Sequence, residues 1–353
     1  MPNSLKYGFY QLKDYANQRA IEINRDALVG AILQTREEYN AEMDQLLGLF
    51  AARTVDYKYR FRTPANARLQ AMDPNGRALP IKRTTYDIEL PLQMGGSAYG
   101  VNFVTRAKRT VQDENDDVVN QLVADRNWMR DHALAGVFYN GSGWSHTDDQ
   151  YGTLTIRGLA NGDATVYARQ GGGAPATDNH YLAQAGAISV TNPYPTIRTE
   201  LREHPENDGN LISFIADDLV SDTMNLASFV DVADGAVRTG GNTDVLVGTP
   251  GVDYPGRLIG YADGNYVVHW SGVPAGYIVS LTTEGPRPLA MREDPEAELQ
   301  GFGPRGERED YPFFETQWFR RAGFGGNNRV GATVTRIGNA SYAIPTGYGS
   351  PMY

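Results

Sequence analysis

Two long stretches of the chain carry apolar residues at helical spacing. Within Tyr15–Phe50 the apolar positions recur every three, four or seven residues, and the stretch contains no proline. These positions are Ile21, Leu28, Ile32, Tyr39, Met43, Leu46 and Phe50. The pattern predicts a helix with one apolar face, and such a face must be covered by another element or by another chain.

The second helical stretch is Asp113–Tyr139. Acidic residues at 114, 116 and 117 suit the positive end of a helix dipole, and Asn140-Gly141 is a suitable stop. The apolar stripe consists of Val118, Leu122, Met129, Ala133 and Val137. At about 1.5 Å per residue this helix would be roughly 40 Å long, which is long for an ordinary globular domain.

Between the two helices the pattern changes to that of strands. Val55–Thr63 and Leu79–Pro91 flank a polar turn region, and apolar and charged residues alternate along the first run. An isolated two-stranded ribbon is marginally stable in water, and its open edges invite pairing. We therefore predict a β-hairpin that is held by a neighbouring chain, so assembly is the first hypothesis for function.

The remaining sequence predicts a mixed domain followed by more β structure. Tyr151–Thr282 contains strand-like runs, a short helix capped by Asn192, a buried strand at Leu211–Ala216 and a helix over Asp217–Phe229. This α/β domain is inserted between two flanking segments. The last predicted strands are Pro312–Arg321 and Arg329–Ile337, joined as a hairpin by the loop Gly323–Asn328.

Composition excludes several classes of protein. The 353 residues include no cysteine, which rules out disulfides, thiolate metal sites and cysteine nucleophiles. No apolar run approaches the roughly 18 residues of a membrane span, and Met1–Tyr10 lacks the apolar core of a signal peptide. We expect a protein without membrane association.

Charge is distributed unevenly. Residues 51–110 contain eleven Lys or Arg against four Asp or Glu, which is a net charge of +7. Because the whole chain has a net charge of −10, the other residues together carry −17. A basic ribbon on an acidic body favours head-to-tail contacts between copies, which close into rings or shells. The predicted intersubunit contact residues of the ribbon are Arg60, Arg62, Arg68, Lys82 and Arg83. The alternatives are nucleic-acid binding through the ribbon, which the acidic remainder disfavours, and a merely solvated hairpin.

The motifs that could carry chemistry do not have the required context. Gly301–Gly306 matches the GxGxxG spelling, but acidic segments replace the strand and helix that a dinucleotide site needs. The acidic run Asp113–Asp117 lacks the glycine of a calcium loop and suits the start of a helix. The five histidines, at 132, 146, 180, 204 and 269, show no short zinc-like spacing. We therefore predict no catalytic residue, cofactor or metal.

The order of the predicted elements resembles that of the major capsid protein of tailed bacteriophages. An arm, a basic hairpin, a long helix, an inserted α/β domain and a closing β segment follow one another. The run Gly306–Gly325, ending in Arg329–Ile337, looks like the last P-domain hairpin of that family. The resemblance implies an α+β, Hong-Kong-97-type capsid fold. It implies these parts: an N-terminal arm (1–54), an E-loop β-hairpin (55–91), the first part of the P domain (92–150) with its spine helix (113–139), an A domain (151–282) and P-domain return strands with the C-terminus (283–353).

The resemblance also implies function and partners. Such a chain assembles with itself, as pentamers and hexamers, into an icosahedral head around double-stranded DNA. A separate scaffolding protein, a portal and in some cases a decoration protein take part, with assembly in the host cytoplasm and the product in the virion. Some relatives form an isopeptide crosslink, for which Lys58 or Lys82 and Asn339 are the candidates here.

Two alternatives to a phage head remain. An encapsulin-type compartment shell would share the fold and hold cargo protein instead of DNA. The long arm and the chain length favour the virus. A β-rich carbohydrate-binding or hydrolytic protein belongs to a different class, and no secretion signal supports it.

Overall fold

The computed structural model describes residues 8–63, 76, 85–232, 252–310 and 313–349. The chain forms two compact units. The first unit comprises Met1–Leu47, Leu92–Asp131 and Arg292–Gly323, and the second comprises Gly48–Pro91, His132–Met291 and Phe324–Tyr353. Each unit is therefore assembled from three separated pieces of sequence.

Helices and strands are distributed along the whole described chain, with several strands in succession between the helices. The α-helices among the described residues are α1 (Arg25–Leu47), α2 (Phe103–Arg106), α3 (Val111–Phe138), α4 (Tyr194–Arg202) and α5 (Val220–Met224). The strands there are β1 (Ala51–Thr54), β2 (Lys58–Arg62), β3 (Thr85–Glu89), β4 (Gln93–Asn102), β5 (Trp144–Asp148), β6 (Gly152–Ile156), β7 (Asn161–Tyr167), β8 (Ala176–Asn179), β9 (Tyr181–Gln184), β10 (Leu211–Ile215), β11 (Phe229–Asp231), β12 (Arg257–Ala262), β13 (Asn265–His269), β14 (Tyr277–Thr282), β15 (Leu289–Glu293), β16 (Gly303–Asp310), β17 (Phe313–Gly326) and β18 (Ala332–Ile337). In this part of the chain no helix combines the length and apolarity needed to cross a membrane.

In the first unit a long helix lies on an antiparallel sheet. Strand β17 pairs with β16 on one side and with β4 on the other, in a register that runs from Phe313–Asn102 to Ala322–Gln93. Gly95 of β4 permits the close approach of α3, since a Cβ there would lie 2.7 Å from Cε2 of Trp128. Any larger residue at this position would push the indole away from the sheet.

Helix α3 matches the prediction closely, with Val111–Phe138 observed where 113–139 was expected. Its first turn is closed by a reciprocal cap: the Thr110 amide donates to Asp113 Oδ2 (2.8 Å), and the Asp113 amide donates to Thr110 Oγ1 (3.2 Å). Asp113 therefore forms the helix cap together with Thr110, in line with the prediction that this acidic run starts a helix. The predicted stripe is buried, with Val118, Leu122, Met129 and Val137 each 0% exposed.

Helix α1 is shorter than predicted. It begins at Arg25 instead of Tyr15, and two short 3-10 helices, Tyr10–Tyr15 and Ala20–Glu22, precede it. The physical reason is a local stop: Ile23 is extended, and the side-chain Oδ1 of Asn24 accepts from the Asp26 amide at 2.9 Å, so a new helix starts there. Ile21, which was placed on the apolar face, is 56% exposed.

We expect Leu122→Ala to lower the free energy of unfolding by about 2–5 kcal/mol, because truncation leaves a cavity at a fully buried position. Denaturant unfolding of the monomer measures this change. Asn120→Ala is the matched control on the exposed side of the same helix, where a change within about 0.5 kcal/mol is expected. An unfolding midpoint of Leu122→Ala equal to that of the wild type would contradict the packing described here.

The second unit is built on a seven-stranded mixed sheet in the order β11-β12-β13-β10-β14-β18-β9. Strand β10 is buried along its whole length, parallel to β13 and antiparallel to β14. Helix α4 packs Tyr194, Ile197 and Leu201 into the same apolar cluster as β10 residues Leu211 and Ile215. The buried strand predicted at Leu211–Ala216 is therefore confirmed.

The helix predicted over Asp217–Phe229 is largely wrong. A short 3-10 helix at Asp217–Leu219 leads into α5, which ends at Met224. The segment cannot stay helical to its end because Phe229 starts edge strand β11, where it pairs with Ala262. Tertiary pairing of the sheet edge decides the conformation here.

The predicted C-terminal hairpin is also wrong. Strand β17 continues through Gly326, and β18 belongs to the seven-stranded sheet, between β14 and β9. The intervening loop is held by other parts of the second unit: the Asn327 and Asn328 amides donate to the carbonyls of Pro288 (2.8 Å) and Arg287 (3.1 Å). These bonds direct the chain to another sheet instead of folding it back on β17.

Candidate intersubunit contact site

The base of the predicted ribbon is a two-stranded antiparallel hairpin. Strand β2 pairs with β3 in a register that runs from Lys58–Glu89 to Arg62–Thr85. Exposure alternates as predicted, with the charged residues of β2 exposed and Tyr59 and Phe61 partly buried. Residues 64–75 and 77–84 lie outside the described part of the chain.

The apolar face of this base is covered by its own unit. Tyr86 and Ile88 are buried, and Tyr59 and Phe61 pack against the same cluster. The other members of that cluster are Leu90, Ala160, Tyr167, Ala290 and Val330. For the described base, the expectation that a neighbouring chain must cover the apolar face is therefore wrong, because residues distant in sequence cover it.

Hydrogen bonds fix the base to the loop after β17. The Tyr86 hydroxyl donates to the Asn327 carbonyl at 2.6 Å and accepts from the Arg329 amide at 3.2 Å. The Tyr59 hydroxyl donates to the Asn327 side chain at 2.9 Å. Both strands of the hairpin are thus oriented by one loop of the second unit.

Arg329 stabilises that loop from within. Its guanidinium, 2% exposed, donates to the carbonyls of Gly158 (2.9 Å) and Leu159 (3.0 Å) and to Asp163 Oδ2 (2.7 Å). Burial lowers the pKa of Arg329, but nearby Tyr167 and Asp163 more than offset this effect, so the side chain stays charged. Sequence reasoning missed this anchor. Its only signal was an arginine inside a glycine- and asparagine-rich turn, and nothing pointed to a partner 166 residues away.

The outer face of the base is charged and partly self-neutralised. Lys58 Nζ lies 2.6 Å from Glu89 Oε1, and Arg60 Nε lies 2.8 Å from Asp87 Oδ1. The hydrogen bond from Arg60 lowers the pKa of Asp87. Because the folded-state pKa is lowered, the contribution of this pair is complete above the ordinary carboxyl pKa and is lost as pH falls through the lowered value.

Arg62 differs from its neighbours on the strand. It is exposed and lies opposite Thr85, and within the described residues it forms no ion pair. Arg60 and Arg62 therefore share one solvent-facing side of β2. Of the other predicted contact residues, Arg68, Lys82 and Arg83 lie outside the described residues, so the contact assignment stays a prediction.

The run that matches the GxGxxG spelling does not have the geometry of a dinucleotide-binding site. Gly303 begins strand β16, so the run Gly301–Gly306 leads into a strand and not into a helix. Its amides are therefore not arranged at a helix N-terminus, which is where a dinucleotide site places the pyrophosphate.

Comparison of the sequence with protein-family models and with curated proteins finds no match. Solved structures are similar over most of the chain. A chain of the mycobacterium phage Patience is 17% identical with a TM-score of 0.66, over 99% of each chain. A chain from the asymmetric unit of the mature capsid of bacteriophage PhiM1 is 10% identical with a TM-score of 0.52, over 84% of this chain and 88% of that one.

The chain therefore has the α+β fold of phage capsid chains. The resemblance to the capsid protein of tailed phages, predicted from the order of elements, is confirmed as a likeness of fold. At these identities the comparison assigns no residue roles, so the contact residues of the ribbon rest on the geometry above.

Proposed function

We propose that this chain is the major capsid protein of a tailed phage. It assembles as pentamers and hexamers into an icosahedral head that encloses double-stranded DNA. The observation that carries the proposal is the likeness of fold to the phage Patience chain, which extends over 99% of both chains. The likeness to a chain of a mature phage capsid supports the virion over a cargo compartment.

The parts of the chain are assigned on the same proposal. Residues 1–54 form the N-terminal arm, 55–91 the E-loop, 92–150 the first part of the P domain with α3 as its spine, 151–282 the A domain, and 283–353 the return strands and C-terminus. The 28-residue helix and the seven-stranded sheet supply elements suited to a spine and an A domain. The partners are a separate scaffolding protein and a portal, with a decoration protein as in some heads of this type, and assembly takes place in the host cytoplasm.

Electrostatics suit contacts between copies. The segment 51–110 carries +7 and the remaining residues carry −17. On the described ribbon base Arg62 is an exposed cation that forms no ion pair with a described acidic residue. Acidic groups on an adjacent copy are the natural partners, since opposite potentials steer association and set the register of a contact.

Negative-stain electron microscopy and light scattering test the proposal. The full chain, expressed alone and together with a scaffolding protein, is expected to form closed icosahedral shells. Small shells that contain protein cargo and no nucleic acid would identify an encapsulin-type compartment instead. A monodisperse monomer in the presence of scaffold would contradict shell formation altogether.

We expect the assembled chain to bind duplex DNA weakly and without sequence preference. Phosphate binding accumulates with each available Lys or Arg, and the cations are concentrated in the segment that neighbouring copies would cover. A mobility-shift assay with purified capsomers near physiological salt measures this. Sub-micromolar binding with a steep salt dependence would show that the ribbon is open to phosphate and would revive the nucleic-acid-binding alternative.

A further inference from the structure

Three side chains of the second unit bring electron-pair donors to one buried point. Asp178 lies in β8, His180 follows that strand, and His204 follows α4. The two His Nε2 atoms are 3.2 Å apart. Asp178 Oδ2 is 3.0 Å from Nε2 of His204 and 4.0 Å from Nε2 of His180. Both imidazoles are 0% exposed, and Asp178 is 9% exposed.

The backbone determines which nitrogen of each ring carries hydrogen. Nδ1 of His180 lies 2.9 Å from the Ala332 carbonyl, and Nδ1 of His204 lies 2.9 Å from the Ala168 carbonyl. A carbonyl oxygen only accepts, so both Nδ1 atoms are donors. In the neutral rings the lone pairs of both Nε2 atoms then point into the cluster. Such Nδ1–H···O=C bonds are the usual support of metal-binding histidines.

The third atom that could ligate a metal, Asp178 Oδ2, also lacks a hydrogen-bond partner within the described part of the chain. Asp178 Oδ2 is buried and accepts no hydrogen bond of good geometry from the described residues. The guanidinium of Arg169 is shared between two carboxylates, with Nη2 3.7 Å from this oxygen and 3.4 Å from Glu203 Oε1. Three buried acceptors that face one another repel unless a positive species lies between them.

The spacing matches the size of a tetrahedral metal site. Zinc–nitrogen and zinc–oxygen bonds of about 2.0–2.1 Å give a tetrahedron with edges of about 3.3 Å. The three observed separations, 3.0, 3.2 and 4.0 Å, lie around that value. Glu203, whose Oε1 is 3.7 Å from His204 Nε2, lies outside this group of three and would reach the ion through a bound water, which would be the fourth ligand.

We propose that Asp178, His180 and His204 form a structural binding site for a divalent metal ion of the zinc class. A proton on His204 would satisfy one pair of acceptors, whereas a metal ion would satisfy all three. Imidazole and carboxylate are the ligands expected for zinc in a chain without cysteine.

The bound ion would join segments that are distant in sequence. It would link β8 and the residue after it to the end of α4, and the two Nδ1 bonds extend the link to β18 and to the residue following β7. A chain without cysteine has no disulfide to make such a link. Binding to the folded state would therefore stabilise the second unit. This inference does not rest on the proposed shell function, because its readouts are made on the unassembled chain.

The test uses Zn²⁺ and Co²⁺ on the full chain after chelation and removal of the chelator. We expect one zinc per chain by elemental analysis, a higher melting temperature with Zn²⁺, and the intense visible absorption of tetrahedral Co²⁺. Asp178→Asn and His204→Gln should each weaken zinc affinity by about 100-fold or more, since loss of a supporting contact alone costs about 10–100-fold.

The matched control is His269→Gln. His269 also lies beside a carboxylate, with Nε2 3.2 Å from Asp217 Oδ1, but among the described residues it belongs to no group of three or more side chains that could hold a metal ion. This variant should keep the full zinc content. Equal loss in His269→Gln, or a wild-type chain that binds less than one zinc and shows no change in melting temperature, would overturn the proposal. The wild-type cobalt spectrum decides the question even if the cluster variants fail to fold, because an octahedral spectrum would also overturn it.

Discussion

Arg320→Met is expected to lower the free energy of unfolding of the chain by about 3–5 kcal/mol, because it leaves a buried carboxylate without its cation. Arg320 on β17 and Asp125 on α3 have side chains that are each 2% exposed. The guanidinium donates to both oxygens of Asp125, from Nε at 2.9 and 3.0 Å and from Nη2 at 2.8 Å. The pair joins the long helix to the sheet of the first unit.

Helix α1 completes the same network. The Tyr39 hydroxyl donates to Asp125 Oδ2 at 2.7 Å, and Arg320 Nη2 donates to Asn40 Oδ1 at 3.0 Å. Asn40 in turn exchanges two 3.0 Å hydrogen bonds with the backbone of Phe302. Burial lowers the pKa of Arg320, but Asp125 more than offsets this effect. The cation is therefore present at neutral pH, and its loss exposes the full desolvation cost of Asp125.

Two variants separate this buried effect from ordinary loss of charge. Arg25→Met removes an 83% exposed guanidinium that is 3.9 Å from Glu307, and a change of about 0–1 kcal/mol is expected there. The double variant Asp125→Leu with Arg320→Met removes both charges, and it should recover part of the stability lost in Arg320→Met. Chemical denaturation of the monomer gives all three values. A loss in Arg320→Met no larger than in Arg25→Met would show that the pair is not buried as described.

Reversal of two ribbon charges, Arg62→Glu together with Arg83→Glu, is expected to abolish shell assembly and to leave the monomer folded. Arg62 is exposed on the ribbon base, and Arg83 is a predicted contact residue outside the described part. A single exposed pair contributes only about 0–1 kcal/mol. In a shell, however, each contact recurs in every copy, and reversal also places like charges against the acidic surface of the neighbour. Electron microscopy counts the shells, and circular dichroism checks the fold.

The hairpin offers a control with the same number of charge changes. Lys58→Glu together with Glu89→Lys exchanges the members of a pair that lies 2.6 Å apart, so net charge and the ion pair are kept, and among the described residues the bond from the Thr155 amide to Glu89 Oε2 is the one hydrogen bond of the pair that is lost. Normal shells are expected from this exchange. If the Arg62 and Arg83 reversal also gave normal shells, these two ribbon charges would not contribute to the contact between copies.

Arg60 needs a separate test because it pairs with Asp87 inside the hairpin. Arg60→Glu places two carboxylates together, and adding Asp87→Arg restores the internal pair with its charges exchanged. If Arg60 serves only the hairpin, the double variant should recover assembly. If Arg60 also contacts the neighbouring copy, as predicted from the sequence, assembly should stay impaired.

The sequence pattern alone predicted the limits of α3 and the two faces of β2. The period of the apolar stripe and the Thr110–Asp113 cap define α3 to within two residues at its start. The alternation along β2 predicted its strand and its two faces. These features depend on neighbours in sequence, so they can be read without the tertiary structure.

Tertiary structure alone decided how these elements pair and what lies at their contacts. The destination of β18, the cover over the ribbon's apolar face and the meeting of Asp125 with Arg320 depend on residues that are tens to hundreds of positions apart in the sequence. His180 and His204 carry no short metal-binding spacing, because β8 and α4 bring them together across 24 residues. The sequence by itself thus determined the order and periodicity of the elements, which sufficed to predict a capsid fold. The buried polar networks and the cluster of Asp178, His180 and His204 were decided only by packing, because pairing between polar side chains that are distant in sequence leaves no periodic signal in the chain.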